Sequence, residues 1–245
     1  MSGHSKWKNI MHKKEKTDAQ KAKVFTKIGK EIAIAVKEGG ADPNSNAKLY
    51  TLIQKAKSNN VPNDNIDRII KKASGAEAVA YEEITYEGYG PSGVAVIVEA
   101  ATDNRNRTAG EVRHYFDKFG GNLGQVGCVS FLFEKKGVIA ISALDEWGDR
   151  VVDSDKLMEE ALEAGAADFV EEDNVFEIYC EPDDLAAVAD ELTAKGYTFI
   201  SSEVEKVPSN YVTLENEDDI KFMNLLIENL EENEDIVNVW HNWEE

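Results

Sequence analysis

Cysteine is almost missing from this 245-residue chain, and the two present, Cys128 and Cys180, stand alone with no CxxC spacing. That excludes a disulfide framework and predicts reduced thiols in a cytoplasmic protein. Long apolar runs are missing too. None reaches the roughly 18 residues that a membrane span requires, and the N-terminus has no apolar core of a secretory signal. Histidine is scarce, and His4 and His12 have no ligand spacing, so no metal is expected. Positive charge is in deficit as well: 27 Lys plus Arg against 47 Asp plus Glu give a formal net charge of -20.

The basic residues that do occur are concentrated at one end. Residues 1 to 80 hold 16 Lys plus Arg and 8 Asp plus Glu, a balance of +8. Residues 81 to 245 hold 11 and 39, a balance of -28, and the two sum to -20. Nine lysines fall within the first thirty residues, against only Glu15 and Asp18. An acidic chain that gathers its cations at one end points to an anionic partner there, most commonly a phosphate backbone.

The hydrophobic pattern predicts three helices over residues 18 to 75. Thr17 and Gln20 have capping-box spacing ahead of an apolar series, Val24, Phe25, Ile28, Ile32 and Val36, which Gly39-Gly40 ends. Asp42-Pro43 offers the next start, with Leu49, Leu52, Ile53 and Ala56 inward. Pro62 and Asn63 open a third, with Ile66, Ile69, Ile70 and Ala73 inward. On the first helix the apolar residues fall at about 0 to 120° and Lys23, Lys27, Lys30 and Lys37 at about 220 to 300°. That arrangement predicts a core stripe with a lysine stripe opposite it.

Beyond residue 80 the period changes to two. Strands are expected at Tyr81–Glu87, Val94–Ala100 and Val129–Glu134, with a helix near Arg107–Phe119. From Gly137 to Lys206 the order is strand, helix, strand, strand, helix, strand, the ferredoxin-like split unit. Its strands are Val138–Ser142, Asp168–Glu171, Val175–Cys180 and Tyr197–Glu205, and its helices Asp155–Ala164 and Pro182–Lys195. A strand Tyr211–Leu214, a helix Asp218–Leu230 and a strand Ile236–Trp240 follow, too small a piece to bury a core alone. The expected fold class is therefore α+β. A three-helix domain with a basic arm (1–79) precedes a discontinuous middle domain (80–135 plus 207–245), and a ferredoxin-like domain (136–206) is inserted in it.

Several motifs bear on chemistry. Gly88, Gly90 and Gly93 form a GxGxxG string, but a strand follows it where a dinucleotide fingerprint needs a helix, so it reads as a hairpin connection. There is no Walker lysine motif, and the acidic runs have no nucleophile or base beside them, so neither an enzyme, a cofactor nor a small-molecule substrate is expected. Lys6, Lys8, Lys13, Lys14 and Lys16 extend the cationic stripe of Lys23, Lys27 and Lys30 toward the N-terminus. His12 can donate to phosphate. Trp7, between Lys6 and Lys8, fits either a base stack or a pin on the domain surface. Arg105 and Arg107 open a helix, where phosphate is one partner and Asp103 or Glu111 the local alternative.

Gly3-His4-Ser5-Lys6-Trp7-Lys8-Asn9-Ile10, followed by Lys13-Lys14, Asp18 and Lys23-Val24-Phe25-Thr26-Lys27-Ile28, resembles the opening of the YebC-like family of probable transcriptional regulatory proteins. That family includes the mitochondrial translational activator of cytochrome oxidase. The resemblance continues through Tyr86-Glu87-Gly88-Tyr89-Gly90-Pro91, Thr102-Asp103-Asn104-Arg105-Asn106-Arg107-Thr108 and Gly120-Gly121-Asn122-Leu123-Gly124. Gln20 stands where many relatives carry a basic residue, and Cys128 where a small one is usual. The resemblance implies three domains and a non-enzymatic, nucleic-acid-binding regulator of gene expression. A DNA-binding transcriptional regulator is the first expectation, and a ribosome-associated translation factor on ribosomal RNA is the alternative. An acidic module that binds the ribosome or other basic proteins is a third.

Overall fold

The computed structural model describes residues 18–75, 78–145, 147–172 and 174–244. Three helices come first: α1 (Asp18–Gly39), α2 (Ala47–Ser58) and α3 (Asn63–Ala73). Thr17 and its capping box lie outside the described residues. Ile28, Ile32, Leu49, Leu52, Ala56, Val61 and Ile66 make one buried cluster among them, so three amphipathic stripes bury one another. Gly40 ends α1 with φ +86°, a conformation that glycine adopts without penalty, and its N–H donates to Val36 O at 2.9 Å.

The second helix does not start at Asp42-Pro43. Those residues close a turn, in which Asp42 Oδ1 accepts from Asn44 N, and the N-cap is Asn46. Its Oδ1 accepts from Leu49 N at 3.0 Å, while its Nδ2 donates to Ala35 O and Gly40 O, each at 2.8 Å. One buried amide thus caps α2 and ties it to the end of α1, where the Gly40 carbonyl lies past the helix and has no helical donor.

A hairpin of β1 (Glu82–Tyr89) and β2 (Ala95–Thr102) opens the next layer, turned by a 3₁₀ segment at Pro91–Gly93. The GxGxxG string is therefore a hairpin connection, closed by Gly90 N on Val94 O at 2.7 Å. Helix α4 (Arg105–Lys118) and a short β3 (Asn122–Leu123) follow, and β3 pairs with Gly88 and Tyr89. A Cβ at Gly88 would sit 2.6 Å from Asn122 O, so only glycine allows that approach.

Chain that comes much later completes this sheet. Strand β8 (Val212–Thr213), helix α7 (Glu217–Glu232), β9 (Ile236–His241) and β10 (Trp243–Glu244) end the molecule. The sheet order is β3-β1-β2-β9, and β9 runs antiparallel to β2 with Val98 opposite Val239. Phe116 and Val112 of α4 meet Met223, Leu226 and Leu230 of α7 over Val96 and Val98. Val129 and Leu132 cover the opposite face, on Ala95, Ile97 and Trp240. Strand β2 is covered on both sides, which is why it reads as a continuous apolar run instead of alternating.

The strand expected at Val129–Glu134 is not one. Ser130–Leu132 forms a 3₁₀ turn, and Phe133 already begins β4 (Phe133–Ser142). Glu87 explains the difference. Only 2 % exposed, its carboxylate accepts from Gly127 N (2.8 Å), Val129 N (2.9 Å) and Ser130 N (2.8 Å). Those are donors that a strand ladder would have used. Burial alone would raise the Glu87 pKa, but these three N–H groups hold it below the ordinary carboxylate value.

From β4 the chain runs through α5 (Ser154–Glu163), β5 (Asp168–Glu172), β6 (Val175–Cys180), α6 (Leu185–Ala194) and β7 (Ser201–Pro208). The sheet order β5-β6-β4-β7 is the ferredoxin-like arrangement. Ile139, Ile141, Leu157, Phe176, Ile178, Val188 and Leu192 fill its core. Residues 134–207 form one compact body, and the described residues before and after them form the other. The architecture is α+β: a three-helix N-terminal region and two α/β sandwiches, the ferredoxin-like one inserted in the other.

Two predictions follow from this packing. A chain ending at residue 207 lacks Met223, Leu226, Leu230 and Ile236, so hydrogen exchange should find β1 and β2 unprotected while β4 and β6 stay protected. Leu226→Ala in the intact chain should lower stability by about 2–5 kcal/mol.

His241, 6 % exposed and with Nδ1 lacking a partner among the described residues, gives a pH signature. Burial pulls its pKa from 6.5 down to about 4, against the smaller upward pull of Glu231. The unfolded chain protonates first as pH falls, so stability drops across that window. Thermal denaturation of His241→Leu should show a weaker loss between about pH 6.5 and 4.

Candidate nucleic-acid interface

The lysines of α1 do not form a free stripe. Lys27 donates through Nζ to Glu231 O, and Lys30 Nζ reaches Asp235 Oδ1 at 2.7 Å and Glu234 O at 3.0 Å. Helix α7 ends with no basic residue in its last turn. Its terminal carbonyls and negative dipole end need donors, and α1 supplies them from another part of the chain. The Lys30 side chain is 11 % exposed and also lies 5.7 Å over the Tyr81 ring. The expected stripe of Lys23, Lys27, Lys30 and Lys37 is thus interrupted, because Lys27 and Lys30 meet the α7–β9 turn. Lys23 is half-buried and Lys37 exposed.

Asp235 is the centre of that turn. Its carboxylate accepts from Lys30 at 2.7 Å, Arg107 at 2.7 Å, the Thr108 hydroxyl at 2.8 Å and the Thr102 hydroxyl at 3.2 Å. It is 4 % exposed. Burial works to raise its pKa, but the hydrogen bonds from Lys30, Arg107 and Thr108 prevail and hold it near 2.

Arg107 and Arg105 therefore separate. Arg107 joins Asp235 and, at 3.0 Å, the local partner Asp103, and these acids raise its pKa above the ordinary guanidinium value. Arg105 is exposed, with Glu82 4.0 Å away. The N-cap of α4 is Asn104, whose Oδ1 accepts from Arg107 N at 3.2 Å. Beside Asp235 an open groove sets Asp103, Glu111 and Glu234 against Lys30 and Arg107, so it offers phosphate no net positive charge.

Besides Lys37, exposed cations lie on the other two helices. Lys57 ends α2, and Arg68, Lys71 and Lys72 lie along α3. Arg68 bonds to Asn65 Oδ1 at 2.8 Å, and none of the four pairs with a carboxylate among the described residues. Sequence reading passed over α3, although Arg68, Lys71 and Lys72 fall within five consecutive residues. Lys6, Trp7, Lys8, His12, Lys13, Lys14 and Lys16 lie outside the described residues. Among the described residues no group of three His, Cys, Asp or Glu is arranged for a metal, and no helix is long and apolar enough to cross a membrane. Burial raises the pKa of both thiols, that of Cys180 to about 11.

A lysine-rich helical end on an acidic body of two α/β sandwiches defines a modular, multi-domain α+β protein. The chain belongs to the TACO1/YebC family: the family's N-terminal domain matches residues 5–76, and its second and third domains match 81–243. A protein of Acetivibrio thermocellus called a probable transcriptional regulatory protein is 59% identical over 244 residues, 99% of each chain. A protein of the same description from Ruminiclostridium cellulolyticum is 58% identical over 246 residues, covering 100% of this chain and 97% of its own. The crystal structure of a conserved hypothetical protein from Aquifex aeolicus superposes with a TM-score of 0.83 at 42% identity, over 95% of each chain.

Asp235→Ala should destabilise the protein by about 3–5 kcal/mol at neutral pH, because it leaves Lys30 charged and uncompensated in a buried setting. The Asp235 carboxylate titrates at about 3.8 when unfolded and about 2 when folded, so its contribution is full above the first value and lost toward the second. Denaturant unfolding should therefore show the gap between wild type and variant narrowing as pH falls through that range. Lys30→Gln should also destabilise, and Lys23→Gln should not.

Proposed function

We propose that the protein is a non-enzymatic regulator of gene expression that binds nucleic acid through its basic N-terminal end. The name its relatives carry, probable transcriptional regulatory protein, supports reading it as a transcriptional regulator, and we take its target to be DNA. The observation that carries this reading is the charge segregation: +8 over residues 1 to 80 in a chain whose remainder is -28. Within the described part of that end, Lys57, Arg68, Lys71 and Lys72 are exposed, and none of them forms an ion pair with a carboxylate of the described residues. Phosphate contacts by such cations release condensed counterions, which gives affinity without sequence preference. The acidic body opposes approach by bulk duplex from other directions, so binding is confined to one end.

A second reading, a ribosome-associated translation factor on ribosomal RNA, is favoured by the body itself. Its charge of -28 disfavours free duplex but suits a crowded surface of basic proteins. With about five phosphate contacts, log affinity for duplex DNA should fall against log salt with a slope of about -4 to -5. A flat response in fluorescence anisotropy would exclude the electrostatic mechanism. Removing residues 1 to 16 should take away much of the slope and leave the melting temperature nearly unchanged. Enrichment on promoter DNA in cells is the expected outcome, and co-sedimentation with ribosomes without such enrichment would establish the second reading instead.

A further inference from the structure

A second groove, between α1 and α3, differs in kind from the one beside Asp235. Phe25, Gly29, Ile69 and Tyr81 are among its lining, with Arg68 and Lys72 from α3 and with Lys30, which is already held by Asp235. Among the described residues no Asp or Glu lines it, although the chain as a whole has 47 acids against 27 bases. Arg68 and Lys72 are four residues apart, hence on one face of α3, and both are exposed. The acids of that helix, Asp64 and Asp67, do not line the groove.

The cavity measures about 300 Å³, at the small end of ligand pockets, which run from roughly 300 to 1,000 Å³. That is room for one ring system and too little for the apolar face of a peptide helix. An apolar slot for a ring with two cations at its edge matches a nucleotide, whose base is flat and whose phosphates are anionic.

We propose that this groove takes an unstacked base of single-stranded nucleic acid, with Arg68 and Lys72 on the flanking phosphates. The inference rests on the nucleic-acid reading above and narrows it to a single-stranded target, since a paired base cannot leave its stack to enter the slot without added cost. Base contact with apolar and aromatic side chains tolerates any sequence, and the two cations supply the electrostatic share.

The test uses the full chain with fluorescent twelve-nucleotide oligouridine and oligothymidine, and a mixed-sequence duplex of equal length. Wild type should prefer the single strands to the duplex at matched salt and bind both of them, since base contact tolerates either sugar and the thymine methyl. Arg68→Gln with Lys72→Gln should weaken single-strand binding about tenfold and reduce the salt slope by about 1.4, at roughly 0.7 per lost contact. Ala33→Phe, which fills the groove from α1, should weaken it by a similar factor and leave the salt slope unchanged. Val79→Glu puts a carboxylate at an exposed position of the lining (42 % exposed). It should reproduce the loss without touching the helical core, so a folding defect in Ala33→Phe would not decide the matter.

If wild type binds no oligonucleotide, the nucleic-acid reading fails and the groove assignment with it. If wild type binds but Ala33→Phe and Val79→Glu leave single-strand affinity unchanged, the groove assignment alone is overturned. Loss of acidic-peptide binding in those variants with nucleic-acid binding intact would likewise overturn it and make the slot a protein site.

Discussion

The carboxylate of Asp235 holds together pieces of chain that lie far apart in sequence. Lys30 comes from the first helix, Thr102 from the end of β2, and Arg107 and Thr108 from the first turn of α4. Asp235 itself stands between α7 and β9, after the inserted domain has been traversed. A buried carboxylate with one cation missing is more unfavourable than an apolar replacement, so the cluster is favourable only when complete. That all-or-none character sets the position of α1 against the end of the sheet, and it gives the polar turn after α7 a defined conformation.

The same interaction decides which cations remain available. Of the lysines expected to form a free stripe, Lys27 and Lys30 serve the turn at the end of α7, and Arg107 of α4 likewise serves Asp235. Net charge describes a long-range field, and it still favours an anion at this end. Contacts are made only by side chains whose hydrogen bonds are not already taken. Among the described residues these include Lys57 of α2 and Lys71 and Lys72 of α3, where Arg68 is bonded only to the neutral Asn65, and the slot between α1 and α3 adds an apolar surface beside them.

Local patterning was readable wherever a stripe or an alternation faced one environment. The three helices, the hairpin at Gly88–Gly93 and the ferredoxin-like order all follow from period and punctuation. Reading failed where a side chain bonded to distant backbone. Asn46 displaced the helix start from Asp42, because its amide also reaches the end of α1. Glu87 turned an apolar run at Val129 into a 3₁₀ segment by taking its N–H groups. Asp235 lay inside an acidic run that looks solvated, and nothing in its neighbours marks it as buried.

By itself, then, the sequence determined the fold class, the inserted order of the domains and the polarity of charge along the chain. Each of these is a sum over many residues, and no single contact can reverse it. Which lysines are free, which carboxylate is buried and where an uncharged slot opens beside exposed cations were decided only by tertiary structure. Those properties depend on the partner each side chain meets. For Lys30 and Asp235 that partner lies more than two hundred positions away.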